Sequence, residues 1–217
     1  MSDIDALTRE QISFAGGMLG PLFLNDPKTD AEAVAPLLNA FASFDVGAAA
    51  QEWPFAGESA ARSLGEMHEG ACNALQEDMD ALLWEYRRLF VGPARKPAPP
   101  WGSVYTDREC VVFGESTLAL RSWMRANGIE RIGDAADPED HIGYLLLLMT
   151  WAAEHRPDLL GEFLRDHVLT WSSHFLEQLE EAAEHPFYRG LASLTRATLE
   201  GIGDALSLEV VHPRYYC

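Results

Sequence analysis

Apolar residues recur along most of the chain at spacings of three and four, the period of helices that bury one face. Leu7, Ile12, Phe14, Leu19 and Leu22 set this pattern over residues 5–23, with Gly20-Pro21 expected to break or kink the helix. A second helix is expected after Thr29, where Glu32 three residues on completes a capping box and Pro36, Leu37, Leu38, Phe41 and Phe44 follow. Residues 58–90 predict one or two more. Leu75, Met79, Leu82, Leu83, Tyr86, Leu89 and Phe90 form a continuous face there, and Gly92-Pro93 stops the run. A further helix over 115–127 ends at Asn127-Gly128. Asp137-Pro138-Glu139-Asp140 has the form of a helix start, with a cap, an early proline and acids in the first turn. The helix it opens runs to about His155 and is apolar on all sides, so 138–155 should be the most buried. Two last helices, about 158–184 and 187–206, are separated by His185-Pro186.

The remaining segments read as connections. Pro93, Pro97, Pro99 and Pro100 predict an extended, polyproline-like course over 93–106, because proline fixes φ and lacks a donor. Residues 129–137 read as a linker that could act as a hinge. Only Cys110-Val111-Val112-Phe113 would suit a strand, and the C-terminal tail carries no clear signal. With 217 residues and no internal repeat, the expectation is an all-α helical bundle, a single domain over 1–217.

Charge narrows the partners. Thirty-four acids face 16 bases, a net of -18. Such a surface repels phosphate backbones and anionic lipid, and attracts cationic peptides. Residues 30–80 hold ten acids and one base, whereas 85–131 hold eight bases and five acids, so a basic ligand meets a mixed local field. Acidity also serves solubility alone. The start, MSDIDALTREQ, has neither the basic nor the apolar region of a signal peptide, and the longest apolar run, Ile142 to Ala153, is too short to span a bilayer of about 30 Å. These features point to the cytoplasm. Three cysteines without a C-x-x-C, Cys72, Cys110 and Cys217, suggest neither a disulfide framework nor a zinc knuckle.

Catalytic signatures are missing. Gly16-Gly17-Met18-Leu19-Gly20 superficially suggests a nucleotide loop, but no strand precedes it and no G-K-[ST] follows. There is no G-x-S-x-G elbow, and the seven histidines show no metal-binding spacing. Nothing calls for an enzyme, a metal or a cofactor.

Three ordered blocks do carry a resemblance. The first is Tyr86-Arg87-Arg88-Leu89-Phe90-Val91-Gly92-Pro93 with Pro97-Ala98-Pro99-Pro100-Trp101-Gly102-Ser103-Val104-Tyr105, continuing through Asp107-Arg108-Glu109 and Phe113 to Arg121. The second is Asp137-Pro138-Glu139-Asp140-His141, and the third Ala183-Glu184-His185-Pro186-Phe187-Tyr188-Arg189. Together they resemble the TorD/DmsD family, its DmsD branch in particular, over about residues 80–200. Tyr86 stands where close relatives often have Trp, and Asp137 where the motif usually has Glu. The resemblance implies an all-helical chaperone that binds the twin-arginine signal of a molybdopterin reductase's catalytic subunit, a dimethyl sulfoxide reductase in the DmsD branch, and supports its maturation before export. It implies the leader as partner, with the twin-arginine translocase as a further one, and a monomer or a domain-swapped dimer. The leader site it implies comprises Tyr86, Leu89, Phe90, Pro100, Trp101, Ser103, Tyr105, Gly114, Asp140 and His141.

The chemistry fits. Such a leader offers two guanidinium groups and then an apolar stretch, so its receptor needs carboxylates and an apolar, aromatic groove. Asp140 could supply the former, and Leu89, Phe90, Trp101 and Tyr105 the latter, with the prolines holding Trp101 rigid. Each residue also has a plainer role: Asp140 as an N3 cap, His141 as an ordinary helix histidine, Leu89 and Phe90 as core. If the separated motifs form one site, Tyr86, Pro100, Trp101, Asp140 and His141 should line one cleft. The alternatives are a chaperone of another molybdoenzyme, of trimethylamine oxide reductase or formate dehydrogenase type, an enzyme using Asp140 and His141 as an acid–base pair, and a purely structural assembly subunit.

Overall fold

The computed structural model describes residues 4–92, 95–130 and 138–217. Within them the chain forms α1 (Ala6–Leu24), α2 (Ala31–Ser43), α3 (Val46–Glu52), α4 (Ser59–Gln76), α5 (Met79–Tyr86), α6 (Gly102–Thr106), α7 (Glu115–Ala126), α8 (Ile142–His155), α9 (Pro157–Phe163), α10 (Ser172–Ala182) and α11 (Pro186–Ala205). Wider π-type turns extend α5 over Arg87–Val91 and α9 over Leu164–Val168. The only strand-like pairing among the described residues joins Trp101 to His141. The fold is all-α, as the periodicity predicts.

Two glycine seams set the packing. In α1 crossing α8, a Cβ on Gly143 would lie 2.5 Å from Leu24 Cγ and 2.9 Å from the Gly20 carbonyl, and one on Gly16 would stand 2.5 Å from the Leu146 carbonyl. Thr150 donates across this seam to the Ser13 carbonyl (3.2 Å). Of the glycines that imitate a nucleotide loop, Gly16 and Gly20 are therefore a helix-packing surface. In α4 against α11, a Cβ on Gly190 would meet the Ser63 carbonyl at 2.5 Å and one on Gly70 the Phe187 amide at 2.5 Å. Around both seams the buried apolar side chains form one cluster, from Ile12 to Ile202.

Several expectations need correction. Pro21 sits inside α1, which continues to Leu24. Asp30, not Thr29, precedes α2, and Asp26 takes the Lys28 and Thr29 amides instead (2.8 and 3.2 Å), so the turn closes before the helix begins. The helix α3 lies in a stretch for which no element is expected, capped by Asp45 on the Ala48 amide. The run 58–90, by contrast, is the two helices that one of its readings allowed, the second capped by Asp78. The run 158–184 divides at Leu169–Trp171. A short helix, α6, interrupts the proline-rich segment. Residues 110–113 form no strand, because Cys110 and Phe113 adopt left-handed φ values of 50° and 67°. Cys110 is bonded to Cys217, a disulfide across a separation of 107 that the cysteine spacing did not suggest. Nor is α8 the most buried helix: seven of its fourteen residues are buried, against twelve of twenty in α11. Pro93, Asp137 and most of the expected hinge at 129–137 lie outside the described residues. Among the described residues no single helix is long and apolar enough to cross a membrane.

Candidate functional site

A groove of about 1190 Å³ opens between three segments: α5 with its π-type turn, the α1–α2 turn, and the α10–α11 loop. Trp84, Arg87, Arg88 and Val91 line it from the first, at the i, i+3, i+4, i+7 spacing of one helix face. Asp26, Thr29 and Asp30 line it from the second, and Glu184, His185 and Pro186 from the third. Trp84 and Val91 are 72% and 56% exposed, an unusual state for large apolar side chains on a helix whose other face is core.

The charged groups of the groove are arranged in pairs. Arg88 grips the Glu85 carboxylate with Nε and a terminal nitrogen (2.7 and 2.9 Å) and reaches the Ala182 carbonyl at 2.6 Å. The same carboxylate accepts the Glu184 and His185 amides at 2.6 and 3.2 Å. Burial pushes the Glu85 carboxyl up, but the Arg88 guanidinium and the two amides outweigh it and hold it below its ordinary value. Arg87 pairs more lightly with Asp26, through Nε at 3.0 Å. Burial raises Asp26 too, and the Lys28 amide and Arg87 bring it below its usual range. His185 caps α11 by accepting the Phe187 amide at 3.2 Å, and burial lowers its pKa. Glu184, by contrast, is exposed, 4.0 Å from Arg88.

The second region is closed. Residues 100–102 pair antiparallel with 140–142: the Ile142 amide donates to the Pro100 carbonyl (2.9 Å) and the Gly102 amide to that of Asp140 (3.2 Å). This pairing keeps residues 140 and 141 out of the helix, so α8 starts at Ile142 and the expected start at 138 moves four residues on. Asp140 is thus not an N3 residue. His141 is the N-cap, its Nδ1 accepting the Gly143 amide at 3.1 Å, and burial lowers its pKa to about 3. Asp140, 2% exposed, accepts the Ser103 amide (2.7 Å) and the Ser116 hydroxyl (3.4 Å), which ties α6 and α7 to the start of α8. Successive residues of an extended segment point to opposite sides. Trp101 and His141, directly paired, meet edge to face at 5.7 Å, while Asp140 turns the other way.

The sequence-derived site residues therefore separate. Pro100, Trp101, Ser103, Asp140 and His141 meet at the junction. Gly114 caps α7 nearby, packed on Asp107. Tyr105 lies in the core, stacked on Trp171 at 5.9 Å, and burial raises its pKa well above the usual phenol value. Tyr86 reaches the groove, but its ring joins Phe90 at 5.3 Å in a buried aromatic cluster with Phe23 and Tyr188, and Leu89 is fully buried beside it. Sequence reasoning missed Trp84, Val91, Asp26, Asp30 and Glu184. The signal was present in Trp84 and Val91: two large apolar residues seven apart, on the face opposite Leu82, Leu83, Tyr86, Leu89 and Phe90.

Comparison with known proteins agrees with the resemblance. A family model described as nitrate reductase delta subunit matches residues 57–177. The chain is 39% identical to the probable Tat proofreading chaperone DmsD of Haemophilus influenzae, over 96% of this chain and 98% of that protein. It is 41% identical to the Tat proofreading chaperone DmsD of Salmonella typhimurium, over 89% of each. The chaperone protein TorD of Vibrio cholerae is 28% identical over 66% of this chain and 71% of its own length. A solved structure of a putative redox enzyme maturation protein from Archaeoglobus fulgidus, 21% identical, shares the fold with a TM-score of 0.53, covering 92% of this chain and 98% of that one. These named relatives are chaperones, not enzymes, and the chain belongs to the TorD/DmsD chaperone family.

Proposed function

We propose that this protein is a cytoplasmic proofreading chaperone that binds the twin-arginine leader of a redox enzyme, the catalytic subunit of a molybdoenzyme of the dimethyl sulfoxide reductase type, and releases it to the translocase after maturation. The observation that carries the reading is the groove, where exposed Trp84 and Val91 adjoin the carboxylates of Asp26, Asp30 and Glu184. Carboxylates beside apolar surface answer a ligand that joins two guanidinium groups to an apolar stretch. Trp101 offers a second contact, with the buried His141 ring packed behind it. The Trp101 ring is half-buried under the Lys96 ammonium, 5.5 Å away, and its indole N–H has no partner among the described residues. Leu89, Phe90 and Tyr105 support these surfaces from the core, and Ser103, Gly114 and Asp140 set the course of the loop that presents Trp101. The chain acts as one helical domain.

Calorimetric titration with leader peptides tests this. A leader of the dimethyl sulfoxide reductase type should bind, and replacing its two arginines by lysines should weaken binding by about tenfold or more, because lysine lacks the bidentate fork. No binding to any leader refutes the reading. Preference for a trimethylamine oxide reductase or formate dehydrogenase leader reassigns the client.

A further inference from the structure

The chain beyond α11 forms no regular element among the described residues, yet it is held in place. It crosses α6 and α10: the Tyr216 amide donates to the Tyr105 carbonyl (3.1 Å) and the Tyr215 hydroxyl to the Thr170 carbonyl (2.7 Å). The Tyr215 ring lies flat on His174 at 4.4 Å, and His174 Nε2 stands 3.0 Å from the Cys217 carbonyl. Leu208, Val210 and Tyr215 also lie half-buried against the core, and each of these hydrogen bonds contributes only about 0.5–1.5 kcal/mol net. The covalent anchor is the bond from Cys217 to Cys110. Cys217 is exposed and Cys110 half-buried, so a thiolate can reach the sulfur of Cys217.

We propose that Cys110 and Cys217 form a reversible thiol–disulfide modification site, a substrate for a small or protein dithiol, which latches the C-terminal strap across α6 and α10. In the opening reaction a dithiol's thiolate attacks Cys217 Sγ. A mixed disulfide forms and Cys110 leaves as thiolate, which takes up a proton. The second thiol of the reductant then attacks its own sulfur in the mixed disulfide and releases Cys217. Two electrons and two protons have passed to the protein, and the dithiol has become a disulfide. Two local consequences follow. The strap is left with its non-covalent contacts alone, and each opening of it exposes the Tyr105 carbonyl and the His174 ring to solvent. The loop at 107–113, with left-handed Cys110 and Phe113 and exposed Val111, Val112 and Phe113, loses its tether. That loop leads through Gly114 into α7, whose Ser116 bonds Asp140, so the latch reports on the junction as well.

The test uses the full chain carrying Cys72→Ser, so that only the pair can react. After mild oxidation, alkylation and intact mass should count no free thiol, and two after treatment with dithiothreitol. Trypsin cuts after Arg214. In the oxidised protein this cut should be slow and should leave residues 215–217 attached. In the reduced protein it should be about tenfold faster or more, because a segment without its covalent anchor opens locally far more readily, and the fragment that begins at Tyr215 should be lost. Cys217→Ser, and Cys110→Ser as a second variant, should cut at the reduced rate under both conditions with the circular dichroism of the parent. Two free thiols after oxidation of a folded chain overturn the proposal. So does equal protection of the strap in the oxidised and reduced forms.

Discussion

The groove and the junction are both assembled from segments far apart in sequence, and each contains buried carboxylates and aromatic rings, but they dispose of their polar groups differently. At the junction the backbone comes first. Residues 100–102 and 140–142 satisfy one another's amides, and Asp140 then serves the Ser103 amide and the Ser116 hydroxyl. Its carboxylate works as a strut between helices. In the groove Asp26 and Glu85 also accept backbone amides, but each meets in addition a guanidinium that remains partly in water, and the apolar side chains beside them are uncovered. A carboxylate whose partners are backbone amides holds a fold. One whose partner is a half-exposed arginine can exchange that partner for a ligand's. A shared motif does not tell these roles apart, because a family keeps both.

The largest effect should come where the two roles overlap. Glu85 lines the groove yet is buried, and it holds Arg88 and two amides of the α10–α11 loop. Glu85→Ala leaves two amides without their acceptor beside a guanidinium that is still partly in water, and should cost about 2–3 kcal/mol in chemical denaturation. A loss under about 1 kcal/mol would mean that water replaces the carboxylate and that the groove wall is not preorganised. Asp140→Ala removes a buried acceptor without stranding a charge, and should cost about 1–3 kcal/mol. Per folded molecule, leader affinity should then stay within about threefold. A folded Asp140→Asn protein that binds leader about thirtyfold more weakly would reverse the comparison and make Asp140 a direct partner of a leader arginine. Trp84→Ala should move stability by about 0.5 kcal/mol or less, since the ring is mostly in water, but weaken leader binding about tenfold or more. Unchanged affinity there would shift the site to Trp101.

The helical class and most element centres were legible because buried faces repeat every three to four residues and capping residues mark their ends. What was not legible depends on contacts across the chain. Nothing local to Asp137–Asp140 announces that Pro100 will claim the Ile142 amide, so the N-cap and acids in that stretch read as the start of α8. α3 was missed because its core-facing stripe is short and small: Val46, Ala49 and Ala50, only half-buried, over seven residues. The disulfide joins a loop to the tail across 107 residues, and spacing carries no information about such a pair. For the candidate site, the motifs border both the groove and the junction. They drew attention to Leu89 and Phe90, which are core, and away from Trp84 and Val91, which are not. Periodicity flags the buried face of a helix, whereas the proposed groove contact rests on apolar residues that violate it.

The smallest effect bears most directly on whether the junction is closed. His141 is buried and accepts an amide through Nδ1, so it must be neutral there, and burial takes its pKa from 6.5 to about 3. A lowered folded-state pKa means that the unfolded chain binds the proton more readily. The stabilisation is therefore complete above about pH 6.5 and is lost as pH falls from there toward about 3. Near pH 6 it should amount to a deficit of about 1 kcal/mol relative to pH 8. His167 and His185, also lowered by burial, tilt stability the same way and would mask the effect in a single protein. They cancel in a comparison with His141→Asn, because asparagine can accept the Gly143 amide as an N-cap and does not titrate. Urea denaturation of both proteins at pH 8 and pH 6 should show a shallower loss in the variant, by about 1 kcal/mol. Parallel losses would mean that His141 is already open to water and protons in the free protein. Asp140 beside it could then be as accessible as the acids of the groove, and the distinction between strut and site would fall at the residue where it matters most.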